Sequence, residues 1–232
     1  MPAAPNDYDK FARAYAADND VNLSNAHYER PAILALAGDV AGHRVLDAGC
    51  GSGALAAALR ERSGLVTGAD SSAACWRWRG SASAPACPHQ ADLGEPLPFP
   101  DAAFDDVTAS LVLHYLRDWA PALREFRRVL QPAGRLIIST HHPFMDHALA
   151  GGTDYFATCN ITEEWTKGGR SAMMSFWHRP LHAMTDAFTA AGFRIEVISE
   201  PQPDPAARAL FPADFAIFSA QPRFLFFVLR AS

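Results

Sequence analysis

Asp47, Gly49, Cys50, Gly51 and Gly53 fall within the stretch Val45-Leu46-Asp47-Ala48-Gly49-Cys50-Gly51-Ser52-Gly53, and their types and spacing suit the capture of a small polar ligand. Glycine adopts positive φ and, without a Cβ, lets a ligand approach the main chain. A short apolar run precedes the glycines and a helix-forming run, Ala54-Leu55-Ala56-Ala57-Ala58-Leu59-Arg60, follows them, so the pattern predicts strand, tight turn and helix. Unpaired N–H groups at a helix start favour an anionic or carboxylate group. The G-x-G-x-x-G spacing of dinucleotide dehydrogenases is not met, because the glycines fall at 49, 51 and 53 with Ala54 next.

Leu65-Val66-Thr67-Gly68-Ala69-Asp70 reads as a second strand ending in an acid. About twenty positions after such a glycine turn, an acid can accept hydrogen bonds from both hydroxyls of an adenosine ribose. Adjacent His141 and His142 follow a later strand. On extended backbone their side chains point to opposite faces, so no metal site is expected. Cys50, Cys75, Cys87 and Cys159 show no C-x-x-C pair and no metal spacing, which suits free thiols in a reducing cytoplasm.

The stretch LDAGCGSG, preceded by a β-branched residue, closely resembles the first motif of the class I S-adenosylmethionine-dependent methyltransferases. Three further stretches extend the resemblance over about residues 1–140. Tyr8-Asp9-Lys10-Phe11-Ala12-Arg13-Ala14-Tyr15 matches an opening segment Y-D-x-x-A-x-x-Y. Pro98-Phe99-Pro100-Asp101 through Phe104-Asp105 matches P-F-x-D-x-x-F-D. Arg128 through Leu136 resembles the family's helix, turn and fifth strand, with Ala133 where many members have a second glycine.

The resemblance implies S-adenosylmethionine as cofactor and methyl transfer to a small-molecule acceptor. Asp47, Gly49, Cys50, Gly51 and Gly53 then form the cofactor turn, Asp70 and Ser71 stand at the ribose, and Tyr15 lies near the cofactor carboxylate. Asp92 accepts from the adenine amino group, the backbone at Leu93 contacts the ring, and Ser110 and Leu111 lie beside the cofactor. A hydroxyl or amine acceptor needs a base, and histidine titrates near neutral pH. His114, His141 and His178 are the candidates, in that order. Tyr28, Tyr115, His142, Trp165 and Trp177 are expected in the acceptor pocket. Two rivals remain at this point: a dehydrogenase, and a non-catalytic protein that binds S-adenosylmethionine.

The elements that must position these residues follow from periodicity. Helices are expected over 6–17, 31–37, 119–131 and from 180 to Gly192, with strands at 43–48, 65–70, 104–110, 135–140, 193–199 and 223–230, and a weak one before His89. Between Ser72 and Pro88, Trp76 and Trp78 cannot both face a sheet from one helix, so only a short, poorly packed helix is expected. Alternating strands and helices imply an α/β doubly wound, Rossmann-like sheet. The resemblance adds seven strands in the order 3-2-1-4-5-7-6 with the last antiparallel.

One methyltransferase domain over 1–232 is expected, with an N-terminal helical cap over about 1–40 and a lid-like β-hairpin insertion over about 144–179. Within that insertion, β-leaning runs at 160–166 and 171–178 flank Lys167-Gly168-Gly169-Arg170. A formal net charge of −5 offers no general attraction to nucleic acid. No run approaches about 18 apolar residues, so no membrane span is expected. A cytoplasmic monomer or homodimer that acts on a small, partly apolar molecule fits these features.

Overall fold

The computed structural model describes residue 6 and residues 12–72, 89–152, 154–167 and 170–232. The helix expected within 72–88 and the start of the opening helix, including Tyr8 and Phe11, lie outside the described residues. The described part of the opening helix is α1, Ala12–Asn19.

Nine strands are described: β1 Arg44–Ala48, β2 Leu65–Asp70, β3 His89–Gln90, β4 Phe104–Ser110, β5 Leu130–His141, β6 Cys159–Lys167, β7 Arg170–His178, β8 Phe193–Ser199 and β9 Phe224–Ala231. Seven of them form one sheet in the order β3-β2-β1-β4-β5-β9-β8, and β6 and β7 pair separately as an antiparallel hairpin. With the hairpin left out of the numbering, this is the expected order 3-2-1-4-5-7-6. The strands from β3 to β5 pair in parallel, while β9 runs antiparallel to both β5 and β8. The expected hairpin is therefore present, one residue longer at its outer end and at each side of the turn.

Helices cover both faces of the sheet, and side-chain alternation along the strands divides the core accordingly. On one side, Val45, Val66, Ile137 and Phe226 pack with Ile33 and Leu34 of α2 (Arg30–Ala37) and with Leu55 and Leu59 of α3 (Ala54–Glu61). On the other, Leu46, Val107, Leu136 and Phe227 meet Leu123 and Phe126 of α4 (Ala120–Val129) and Met184 and Phe188 of α6 (Leu181–Ala190). Between α4 and α6 in the chain lies the short α5, Pro143–Leu149, and α7 spans Pro212–Ala220. Trp119 stacks on Phe188 with ring centroids 5.7 Å apart, and its indole N–H donates to the Leu113 carbonyl at 2.7 Å. Burying each such side chain contributes about 1.5–3 kcal/mol.

Before α2 the chain makes one π-helical turn, Asn25–Glu29, which continues directly into it. This turn brings Tyr28 and Glu29 to buried positions in succession. At the opposite end of the sheet, buried Asp106 accepts two hydrogen bonds of 2.7 Å from Arg135 and pairs with His43 Nδ1 at 2.8 Å. That ion pair ties the starts of β4 and β5 to the residue before β1.

The helix expected to run to residue 131 ends at Val129, and the strand expected from 135 begins at Leu130. Leu130 pairs with Phe104, after which the register shifts. The irregular stretch holds Ala133 at φ 59° and Gly134, where an added Cβ would meet the Asp105 and Gln131 carbonyl oxygens, each at 2.9 Å. A left-handed alanine costs about 1–2 kcal/mol, against about 0.5–1 kcal/mol for the extra entropy of glycine. Ala133→Gly should therefore raise the melting temperature by about 2–4 °C. Gly134→Ala should lower it, because it over-packs main chain at a cost of about 1–3 kcal/mol. Thermal unfolding of the two variants checks both signs.

Candidate functional site

The glycine turn after β1 is built from three left-handed residues, with φ of 76° at Gly49, 50° at Gly51 and 78° at Gly53. Gly49 is constrained twice, because a Cβ there would stand 2.4 Å from Cγ2 of Val112. The turn is tied to the end of β2. The N–H groups of Gly49 and Cys50 donate to the Ala69 carbonyl at 2.7 and 3.1 Å, and Gly51 N–H donates to Asp70 Oδ2 at 2.8 Å. Asp70 Oδ1 accepts from Ser72 N–H, also at 2.8 Å.

This framework borders a cavity of about 440 Å³. Asp47, Gly49, Cys50 and Gly51 line it at the turn, Asp70, Ser71, Asp92 and Leu93 at the β2–β3 end, and Ser110 and Leu111 at the end of β4. Asp92 also accepts from Gly94 N–H at 2.8 Å, closing a local turn. Gly53 supplies the left-handed cap of α3 and is absent from the lining. The side chain of Tyr15 lies outside the described residues, so that expectation stays open.

Two carboxyl groups in this cavity are buried. Asp47 is 1% exposed; Thr108 Oγ1 donates to its Oδ1 at 3.0 Å, while among the described residues its Oδ2 has no hydrogen-bond partner. Burial pushes its pKa up to about 7, the Thr108 hydroxyl opposes this, and the charges of Glu29 and Asp70 raise it further. Glu29, 3% exposed, accepts from Ser110 Oγ at 2.7 Å and from Ser139 Oγ at 2.6 Å, both at Oε1. Burial likewise raises its pKa, with the Ser139 and Ser110 hydroxyls and the Arg30 charge opposing the shift.

A second cavity of about 500 Å³ adjoins the first. Asn19, Asn25, Leu111 and Tyr115 line both. Leu111 takes the left-handed conformation, φ 46°, and its N–H reaches the carbonyl and the hydroxyl of Ser139 at 3.1 and 3.0 Å. His114 and His141 also line this second space, with rings stacked at 3.9 Å and 14° and Phe176 edge-on to both. His141 Nδ1 donates to the buried Asp146 carboxylate at 3.1 Å. Among the described residues His114 Nδ1 has no hydrogen-bond partner, and burial, with the neighbouring His141, holds its pKa well below the usual histidine value. The hairpin contributes Glu163, Glu164, Trp165 and Thr166 to the wall, and Arg223 contributes a guanidinium stacked 4.4 Å over Phe218.

Four residues expected in the acceptor pocket or as bases line neither cavity. Tyr28 is in the core, 1% exposed, with its ring against Phe218 and Phe224. His142 caps α5, its Nδ1 accepting from Phe144 N–H while Nε2 meets Glu200 at 2.7 Å. His178 is fully buried beneath Tyr155, where Nε2 donates to the Tyr155 carbonyl at 2.8 Å. Strand alternation turns Trp177 away from Phe176, and Arg117 covers its ring at 5.4 Å. Conversely, Glu29, Arg30, Asn19 and Asn25 line the first cavity and Arg223 the second, and none of these was anticipated. The one available signal was a charged pair, Glu29-Arg30, set between Tyr28 and the apolar run of α2. Among the described residues no group of His, Cys, Asp and Glu could hold a metal ion.

The lining fits a ligand with a cationic end beside an adenosine. The buried carboxyls of Asp47 and Glu29 line the cavity and suit such an end, and the glycine at residue 49 lets the turn lie against Val112 where a Cβ would clash. Residues 46–138 match the model of a methyltransferase domain family. The malonyl-[acyl-carrier protein] O-methyltransferase of Erwinia pyrifoliae is 33% identical over 57% of this chain and 45% of its own length. The demethylmenaquinone methyltransferase of Mycolicibacterium paratuberculosis is 33% identical over 56% of each chain. The chain thus spans about half the length of these curated relatives. A solved S-adenosylmethionine-dependent methyltransferase from Mesorhizobium loti superposes with a TM-score of 0.66 at 27% identity, covering 86% of this chain and 96% of that one. The glycine turn, the strand order and these matches together identify a methyltransferase domain over residues 46–138, in a chain similar to the class I S-adenosylmethionine-dependent methyltransferases.

Proposed function

We propose that the protein transfers a methyl group from S-adenosylmethionine to a small, partly apolar acceptor held in the second cavity. The observation that carries this reading is the shared wall: Leu111, Tyr115, Asn19 and Asn25 border both spaces, so a group at the β4 end of one faces the other directly. The relatives named above act on a carrier-bound malonyl group and on demethylmenaquinone, which share no scaffold. The acceptor is better argued from the lining, where Tyr115, Trp165, Phe176 and Phe224 suit a ring and Arg223 suits an anionic or electron-rich substituent. A size near 500 Å³ suits a metabolite. The protein acts as a cytoplasmic monomer or homodimer without nucleic acid, in keeping with a net charge of −5. Among the described residues no helix is long and apolar enough to cross a membrane.

When bound, S-adenosylmethionine supplies an electrophilic methyl group. The chain's part is to position the acceptor within about 3–3.5 Å of that carbon and to keep water from the line. In this reading the 159–178 hairpin is the lid, through Trp165 and Phe176. His114 is the base: buried and stacked on His141, it stays neutral at physiological pH and can accept the proton the acceptor sheds. Asp70 and Asp92 bind the adenosine.

The direct test is to incubate the protein with methyl-labelled cofactor and fractionated cell extract and identify the product by mass; absence of any labelled product sinks the proposal. Gly49→Ala should keep the fold but weaken cofactor binding at least about 100-fold by calorimetry, since the turn must open to clear Val112. His114→Ala should lower kcat by about 10²–10³ and leave the cofactor Kd within about threefold. Because the pKa of His114 is lowered, its base form persists as pH falls through the ordinary histidine range. At saturating cofactor, kcat of the wild type should accordingly show no break near pH 6.5, and a break there would exclude His114 as the base.

A further inference from the structure

Buried acids serve two different ends in this fold. Asp106 at one edge of the sheet is satisfied by Arg135 and His43 at 2.7 and 2.8 Å. Glu29 and Asp47 at the other edge are as deeply buried, yet among the described residues neither forms an ion pair with a cation. Arg30, whose charge acts on Glu29, is itself directed to the Asn19 carbonyl at 2.8 Å and to Asp20 at 3.8 Å. Ser110 and Ser139 supply hydroxyls to one oxygen of Glu29, Thr108 supplies one to Asp47 with the Ala56 main chain also acting on it, and Asp47 Oδ2 is buried with no hydrogen-bond partner among the described residues. Asp70 adds a third negative charge from β2.

We infer that Glu29 and Asp47 share a proton in the free protein and act as a counter-anion for the cationic methionyl end of S-adenosylmethionine, whose binding expels that proton to solvent. The inference rests on the cofactor assignment above. Two neighbouring carboxylates in a low-dielectric site cannot both ionise without a cation. The methionyl end carries a sulfonium and an ammonium against one carboxylate, a net charge of +1, and so replaces the proton. The by-product, S-adenosylhomocysteine, has lost the sulfonium charge and displaces the proton less completely. Asp47 titrating at about 7 is in keeping with this arrangement. Glu29 is thus a positioning and charge-matching residue, and the pair favours donor over by-product.

The test is calorimetric titration of the whole protein at pH 7 with S-adenosylmethionine and with S-adenosylhomocysteine, in two buffers of different ionisation enthalpy. The expected release is about half a proton per donor bound and less for the by-product. Donor affinity should be about tenfold weaker at pH 6 than at pH 8. Glu29→Gln, which keeps an oxygen for both serines, should cut the release at least threefold and reduce the preference for donor over by-product. Asp47→Asn should do the same, and should also raise the melting temperature of the free protein at pH 8. Equal proton release in wild type and both variants would overturn the inference while leaving the cofactor assignment intact. Failure of both ligands to bind would overturn the cofactor assignment and this inference together.

Discussion

At residue 49 the backbone passes so close to Val112 that a single methyl group would fall 2.4 Å from the valine side chain. That contact joins the loop after β1 to the loop after β4, and it is possible only because glycine lacks a Cβ and accepts a φ of 76°. Much of the candidate site follows from it. With the two loops in contact, the ends of β1, β2 and β4 form one floor, along which Asp47, Asp70 and Ser110 present their side chains. Parallel strands make this geometry natural, since all their C-terminal ends open to the same side.

The same parallel order explains why charge is handled so differently at the two ends of the sheet. At the N-terminal ends, Asp106 meets the Arg135 guanidinium and the His43 ring, and the result is a structural clamp. At the C-terminal ends Glu29 and Asp47 receive the hydroxyls of Ser110, Ser139 and Thr108, and no ion pair with a cation is found for either among the described residues. Hydroxyl donors offset part of the desolvation of a carboxylate but cannot neutralise it, so burial still holds both groups in favour of the protonated form. An arrangement of this kind lowers the stability of the free protein as pH rises through 7, because a carboxyl with a raised folded-state pKa stabilises the fold only while protonated. A fold that retains this cost where a salt bridge could have removed it has a use for unsatisfied negative charge.

What was legible in the sequence is what local backbone chemistry dictates. The glycine turn, the strand ending at Asp70 and the succession of core strands were readable because strand, turn and helix follow one another within a few residues, whereas the strand order came from the family resemblance. The hairpin was readable from its β-leaning runs and Gly168-Gly169. Residues placed by tertiary packing were not. Glu29 reaches the cavity only because one π-helical turn shifts the phase of the helix, and a uniform 3.6-residue period gives no warning of that. His178 and Trp177 fall in the expected strand, but which face meets the acceptor space depends on how the hairpin lies against α5, which no spacing encodes. Tyr28 is aromatic in the right segment, and its packing on Phe224 nonetheless assigns it to the core.

The serine at position 139 links the two cavities chemically. Its hydroxyl donates to Glu29 and its carbonyl and hydroxyl both face the N–H of Leu111, the residue held at φ 46° between the two spaces. A left-handed leucine costs about 1–2 kcal/mol, a cost of the kind that concentrates where a ligand needs one particular backbone shape. The charge on Glu29 orients the Ser139 hydroxyl, and that orientation decides how well its oxygen accepts from Leu111. The conformation at the seam is therefore sensitive to the ionisation of the buried acids. Glu29, Ser139 and Leu111 thus form one run of hydrogen-bonding groups between the two cavities, from the helical turn before α2 through β5 to the residue after β4.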